Sequence, residues 1–257
     1  MFALFLTFVA VGQAVIGVAA KTYAFTEIPV GSSLHLNSPA GPNSWISPSG
    51  RFAFGFYPEG NEFSIGINMY VSPTVEPLVI WTAARDQGIK LISKEAVLSF
   101  TKQGFLLTPS NGVKTITLIE FNGTEPTGAS MLDSGNFVVY DSKTSTFTKN
   151  CSVISVQGGS GAVEADSCIT WQSFDNPTDT MMGGQVLTCG TGLTSRQNST
   201  DQLFYFLTIQ CDSNLVLYSF KRTITADGNT TTGTQSGSLT KMAVSSSAPL
   251  TELINSI

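Results

Sequence analysis

Residues 210–218 read Gln210-Cys211-Asp212-Ser213-Asn214-Leu215-Val216-Leu217-Tyr218. In an extended strand successive side chains point to opposite faces, so every second residue shares a side. Gln210, Asp212, Asn214, Val216 and Tyr218 therefore form one row of amide, carboxylate, amide, isopropyl and phenol. Cys211, Leu215 and Leu217 face the other, apolar side. Two amides, a carboxylate and a phenol supply hydrogen-bond donors and acceptors at strand spacing, which suits a rigid polyol with several hydroxyls. Val216 offers a small apolar surface for the C–H face of a sugar ring.

The turn-then-strand pattern recurs upstream. Asp133-Ser134-Gly135-Asn136-Phe137-Val138-Val139-Tyr140 repeats the Asp/Ser/Asn turn and the N-x-V-x-Y strand, and residues 104–107 (GFLL) and 50–54 (GRFAF) are eroded versions of it. Internal repeats of this kind decide the architecture before any single element does. A tryptophan strand follows two of the units, at Ile80-Trp81-Thr82 and Thr170-Trp171-Gln172, so Trp45, Trp81 and Trp171 are expected in the core. Short apolar runs over 52–57, 63–71, 78–82, 96–108, 115–121, 136–140 and 203–220 have strand length and composition. No stretch sustains the i, i+3, i+4, i+7 stripe of a helix. The spacing predicts an all-β prism, sandwich or barrel.

Composition agrees. The 257 residues are 42% apolar and only 12% charged, with 24 Gly and 17 Phe, a balance that suits strands and glycine turns rather than helical surfaces. Lys plus Arg number 13 against 18 Asp plus Glu, and no basic run occurs, which argues against nucleic acid as a partner. Residues 1–20 are almost wholly apolar and end in Gly17-Val18-Ala19-Ala20 before Lys21, the pattern of a cleaved secretory signal peptide; an uncleaved anchor is the competing reading. No later stretch is apolar enough to span a bilayer, so no membrane association is expected after cleavage. Asn122, Asn150, Asn198 and Asn229 each open an N-glycosylation tripeptide, consistent with a secreted, extracellular glycoprotein.

Four cysteines in such a chain suggest two disulfides, with three connectivities available. Cys151–Cys168 and Cys189–Cys211 are favoured because each closes a short loop. No CxxC pair exists and His35 is the single histidine, so neither a metal centre nor a histidine-dependent nucleophile is expected, and no cofactor motif is present. Residues 158–161 (GGSG) lack the lysine and Asp motifs of a nucleotide site and read as loop. Asp175 and Asp179 are paired carboxylates in a Pro-containing turn, where capping and turn hydrogen bonds account for them better than glycosidase chemistry. The chain is read as non-enzymatic.

The full Q-x-D-x-N-x-V-x-Y row resembles the signature of the bulb-type, monocot mannose-binding lectins. Further blocks are similar to the extracellular region of plant G-type lectin receptor-like kinases: residues 44–56 (SWISPSGRFAFGF), 79–86 (VIWTAARD), 132–140 (LDSGNFVVY) and 171–180 (WQSFDNPTDT). This resemblance implies a three-sided β-prism with tryptophans on its central axis. It also implies that Gln210, Asp212, Asn214 and Tyr218 hydrogen-bond mannose hydroxyls while Val216 packs on the ring.

The other repeats depart from the signature. Aligned on the row, the first carries Ser47, Ser49, Arg51, Ala53 and Gly55, and the second Thr101, Gln103, Phe105, Leu107 and Pro109; neither is expected to bind mannose in the family's way. The third keeps Asn136, Val138 and Tyr140 but has Leu132 and Ser134 in place of Gln and Asp, a degenerate site. The expected organisation is a signal peptide over 1–20, a first lectin domain over 25–180 with an insert at 141–168, and a partial second unit over 186–222 bearing the intact row. A loose Ser/Thr-rich tail over 223–257 completes it. The expected function is recognition of mannose-type glycans, with a homo-oligomer or clustered ligand supplying avidity. The competing expectation is a sugar-silent ectodomain fragment or decoy that partners a lectin receptor kinase.

Overall fold

The computed structural model describes residues 26–36, 42–85, 89, 91, 95–110, 113–121, 123, 125–141, 153–156, 165–195, 203–212, 214–224 and 230–243. The segment expected to be a signal peptide, the four asparagines expected to carry glycans and Cys151 lie outside them. Among the described residues there is no α-helix, and none long and apolar enough to cross a membrane. Seventeen strands among the described residues form four antiparallel sheets.

The first sheet runs β3(Ser44–Ile46), β4(Phe52–Glu59), β5(Glu62–Met69) and β6(Leu78–Thr82). The second runs β2(Ser33–His35), β7(Val97–Phe100), β8(Gly104–Thr108) and β9(Ile116–Glu120). The third has the order β1(Ile28–Pro29), β10(Gly128–Met131), β11(Phe137–Asp141), β13(Ala165–Gln172), β12(Val153–Val156). Each of these three sheets is built around one of the three upstream repeats, and together they make the prism. Within the expected insert, β12 and the start of β13 form a hairpin that extends the third sheet to five strands.

One phenylalanine from each sheet meets at the centre. Phe54 of β4, Phe105 of β8 and Phe137 of β11 are fully buried, with ring centroids 4.1 Å apart for Phe54 and Phe137, 5.6 Å for Phe54 and Phe105, and 5.7 Å for Phe105 and Phe137. The axis expected to hold tryptophans is therefore held by phenylalanines. Trp45 stacks on this triad, while Trp81 and Trp171 meet edge to face beside it at 5.8 Å. The reason is the indole N–H, which needs an acceptor when buried. Trp81 Nε1 finds one off the axis, donating to the Asn176 carbonyl at 2.6 Å.

The register also corrects the alignment of the second repeat. Its turn is one residue tighter, closed by Thr101 N–H to Gly104 O, whereas in the third Leu132 N–H reaches Asn136 O. The strand phase is thereby reversed relative to the alignment: Phe105 and Leu107 face the core, and Gly104, Leu106 and Thr108 lie on the opposite side. Gly104 sits at φ 154° where a Cβ would collide with the Ile119 carbonyl oxygen, so only glycine admits this close strand pairing.

Downstream, β14(Gly192–Thr194), β15(Leu203–Ile209), β16(Asn214–Ile224) and β17(Thr230–Ala243) form the fourth sheet. Within the stretch read as a loose tail, residues 230–243 are a strand, and the first two residues of the stretch end β16. Its many threonines are β-branched and favour extended backbone, and the edge of β16 supplies the unpaired N–H and C=O groups it pairs with from Asn214↔Ala243 to Ile224↔Thr230.

Candidate functional site

The polar row lies at the tip of the β15–β16 hairpin. Pairing runs unbroken from Leu203↔Lys221 to Ile209↔Leu215, and Gln210 N–H donates to Asn214 O at 2.8 Å to close the turn. The Cys189–Cys211 disulfide ties this turn to the one preceding β14, where Gly190 N–H donates to Ile209 O at 2.9 Å. A crosslink spanning 22 residues restricts the unfolded chain by about 3 kcal/mol. The hairpin tip is thus held at both ends.

Within the row, Gln210 Nε2 donates to Tyr218 Oη at 2.7 Å, joining its first and last members. Asn214 N–H donates to Asp212 Oδ1 at 3.2 Å, an Asx turn that aims the exposed carboxylate. Gln210, Asn214 and Tyr218 are half-buried, whereas Val216 is only 5% exposed. Val216 is therefore a floor to the row rather than an open patch. Backbone pairing holds Asn214 and Tyr218 on β16, while the turn and its disulfide hold Gln210 and Asp212.

The third repeat uses the same residue types differently. Asn136 is 7% exposed and its amide is committed on both sides: Nδ2 donates to Gln172 Oε1 at 2.7 Å, while Oδ1 accepts from Ser173 Oγ at 3.1 Å and from Phe174 N–H at 3.2 Å. Val138 and Tyr140, at 0% and 2% exposure, pack with Leu132 and Ile169 in a second apolar cluster. Burial pushes the Tyr140 phenol well above its ordinary value, and the negative charge of Glu27 adds to the shift. These three residues present no open face to a hydroxyl.

The block at 171–180 is what consumes Asn136, and its carboxylates are structural. Asp175 accepts from Gln172 Nε2 at 2.9 Å, and Asp179 lies 3.8 Å from Arg85, whose guanidinium also donates to the Thr194 and Ser195 carbonyls at 2.8 and 2.7 Å. Arg85 thereby joins the chain after β6 to the end of β14. The sequence signal for this latch was the density of amides and carboxylates around one proline.

A second latch joins the first and third repeats. Asp133 Oδ1 accepts from the Ser49 backbone N–H at 2.9 Å and from Ser49 Oγ at 2.5 Å. Burial alone would raise this carboxyl, but the Ser49 bonds, with help from Ser47 and Arg51, outweigh it and hold the group below its ordinary value. Its stabilisation is therefore present above the unfolded carboxylate pKa and lost as pH falls through the lower folded value. Asp133→Asn is expected to lower stability at pH 7 by about 1 kcal/mol, a small figure because the group is exposed, and to narrow the wild-type margin below pH 4. Urea midpoints at pH 7 and pH 3 check this; an unchanged difference between the two proteins at both pH values would refute it.

No family model matches the chain. Among curated proteins, it is 32% identical over 206 residues to the G-type lectin S-receptor-like serine/threonine-protein kinase LECRK1 of Oryza sativa subsp. japonica, covering 74% of this chain and 21% of that protein. It is 32% identical over 181 residues to LECRK4 of Oryza sativa subsp. indica, covering 68% and 19%. The corresponding kinase RLK1 of Arabidopsis thaliana is 27% identical over 196 residues, covering 75% and 21%. The chain spans about a fifth of the length of these relatives.

Proposed function

The chain is a homologue of the lectin part of the G-type lectin S-receptor-like kinases, with the all-β prism of bulb-type lectins, and from that premise we propose that it binds mannose-type glycans, without catalysis, through the β15–β16 row. The observation that supports this reading is the complete set Gln210, Asp212, Asn214, Val216 and Tyr218 in the sequence, with Asn214, Val216 and Tyr218 on β16 and Gln210 and Asp212 in the disulfide-pinned turn that precedes it. Asp212 accepts from sugar hydroxyls, the Gln210 and Asn214 amides donate and accept, and Tyr218 does both. The Gln210–Tyr218 bond opens to admit the ring, exchanging one internal hydrogen bond for several to the ligand. A single shallow site of this kind binds at about millimolar Kd, so function depends on an oligomer or on clustered glycans. The protein acts outside the cell as a secreted glycoprotein, with the row carried by the sheet that follows the prism.

Chromatography on mannose-agarose tests the assignment. Wild type and Asp133→Asn are expected to be retained and released by free mannose, whereas Asp212→Ala and Asn214→Ala pass through. Equal retention of all four proteins, or of none, would remove the site.

A second reading rests on the prism itself, whose rows are consumed by structure while Tyr70, Val71, Val75 and Leu78 stand exposed around the β5–β6 connection. In that reading the chain is a sugar-silent partner of a lectin receptor kinase. Co-purification with such a kinase, undiminished by Asp212→Ala or by excess mannose, supports it; binding that is abolished by both counts against it.

A further inference from the structure

The sugar row does not stop at Tyr218. Because the β15–β16 pairing is unbroken, Phe204, Phe206 and Phe220 lie on the same face as Val216 and Tyr218, with Phe206 opposite Tyr218 and Phe204 opposite Phe220. Phe204 and Phe220 stack at 5.0 Å with their planes 16° apart, and Phe220 follows Tyr218 at 6.1 Å. The Phe206 ring lies over Gly192 of β14, where a Cβ would approach it to 2.7 Å. All four rings are half-buried, so each keeps part of its surface open.

Three phenylalanines on the face of a strand hairpin that also carries amides and a carboxylate are not what a solvated strand selects, and they stand apart from the buried cores of the prism. From this juxtaposition we propose that Phe204, Phe206 and Phe220 form a second subsite, continuous with the polar row, that takes the next sugar ring of an oligosaccharide through its C–H face. The inference rests on the carbohydrate reading of the Gln210–Tyr218 row. The polar row reads the hydroxyls of one residue and fixes its orientation. The aromatic shelf one strand step beyond Tyr218 then rewards a linked ring of low sequence-specific polarity, so the site selects chains over single sugars.

Titration calorimetry with methyl α-mannoside and with an α-linked mannobiose tests this. Wild type is expected to bind the disaccharide about five- to tenfold more tightly than the monosaccharide. Phe220→Leu and Phe204→Leu keep apolar volume but lose the stacked face; both are expected to reduce that preference to about twofold or less while leaving monosaccharide affinity within about twofold of wild type. Circular dichroism of each variant reports that the sheet is intact, and Tyr205→Leu on the opposite face is the control that leaves the preference unchanged. A wild type that binds both ligands equally overturns the subsite and leaves the carbohydrate reading standing. A preference that survives both Leu substitutions also overturns it. Binding of neither ligand overturns both.

Discussion

Phe137→Ala is expected to cost about 3–5 kcal/mol, enough to leave much of the chain unfolded at 37 °C against a total stability of about 5–15 kcal/mol. The ring is wholly buried and contacts the aromatic side chains of the other two sheets, with centroids 4.1 Å from Phe54 and 5.7 Å from Phe105, and it stacks with Trp45 at 6.1 Å. Removing it therefore opens a cavity where three sheets converge, a place that cannot collapse without moving all of them. Phe137→Leu fills most of that space and is expected to cost less than half as much. Urea denaturation followed by near-ultraviolet circular dichroism gives both values. A Phe137→Ala loss below about 1 kcal/mol would mean that the triad is not the centre of the core.

Asn136→Ala should be nearly as severe, at about 3 kcal/mol, although it removes far less volume. The substitution leaves Gln172 Oε1, Ser173 Oγ and the Phe174 N–H without the partners they now have, in a region where Asn136 is 7% exposed. Unmade bonds in such surroundings cost more than made ones contribute. Asn136→Asp keeps both acceptor roles but sets a carboxylate against the Gln172 carbonyl oxygen, and is expected to fall between wild type and Ala at pH 7. Recovery of the Asp variant as pH drops, when protonation restores a donor, separates a hydrogen-bond role from simple packing. If the Ala variant unfolds at the wild-type urea concentration, the latch contributes nothing.

Much of this was legible from residue order, for reasons that differ by element. The strands over 52–57, 63–71 and 78–82 carry β-branched, aliphatic and aromatic residues between turn signals, and each appears within two residues of its expected place, whereas the run over 203–220 divides into β15 and β16 at the turn after Ile209. The elements without sequence signal were those whose backbone partners come from afar: β1 and β2 are two and three residues long and exist only because β10 and β7 offer them an edge. β17 belongs to the same class, since its Thr, Ser and Gly content reads as loop until the edge of β16 is available. The phase of the second repeat was missed because a one-residue change in turn length moves every side chain to the opposite face, and turn length is not visible in an eroded repeat. At the candidate site, the expected alternation runs along β16 through Asn214, Val216 and Tyr218, whereas Gln210 and Asp212 fall in the turn closed by the Gln210 N–H to Asn214 O bond. The aromatic shelf was not singled out, because Phe204, Phe206 and Phe220 become its neighbours only through the cross-strand register.

The Asn136 latch limits what substitution in the third repeat can achieve. Asn136 and Asn214 occupy matching positions of two repeats, yet the Asn136 amide holds a neighbouring strand and helical turn in place. Placing Gln and Asp at positions 132 and 134 would not create a binding row there, since three existing bonds would have to break before the first new contact formed. An amide engaged in the framework in this way is not released by changes at neighbouring positions alone. Side chains that the framework leaves exposed lie instead at the turn between β15 and β16, where Asp212 is accessible.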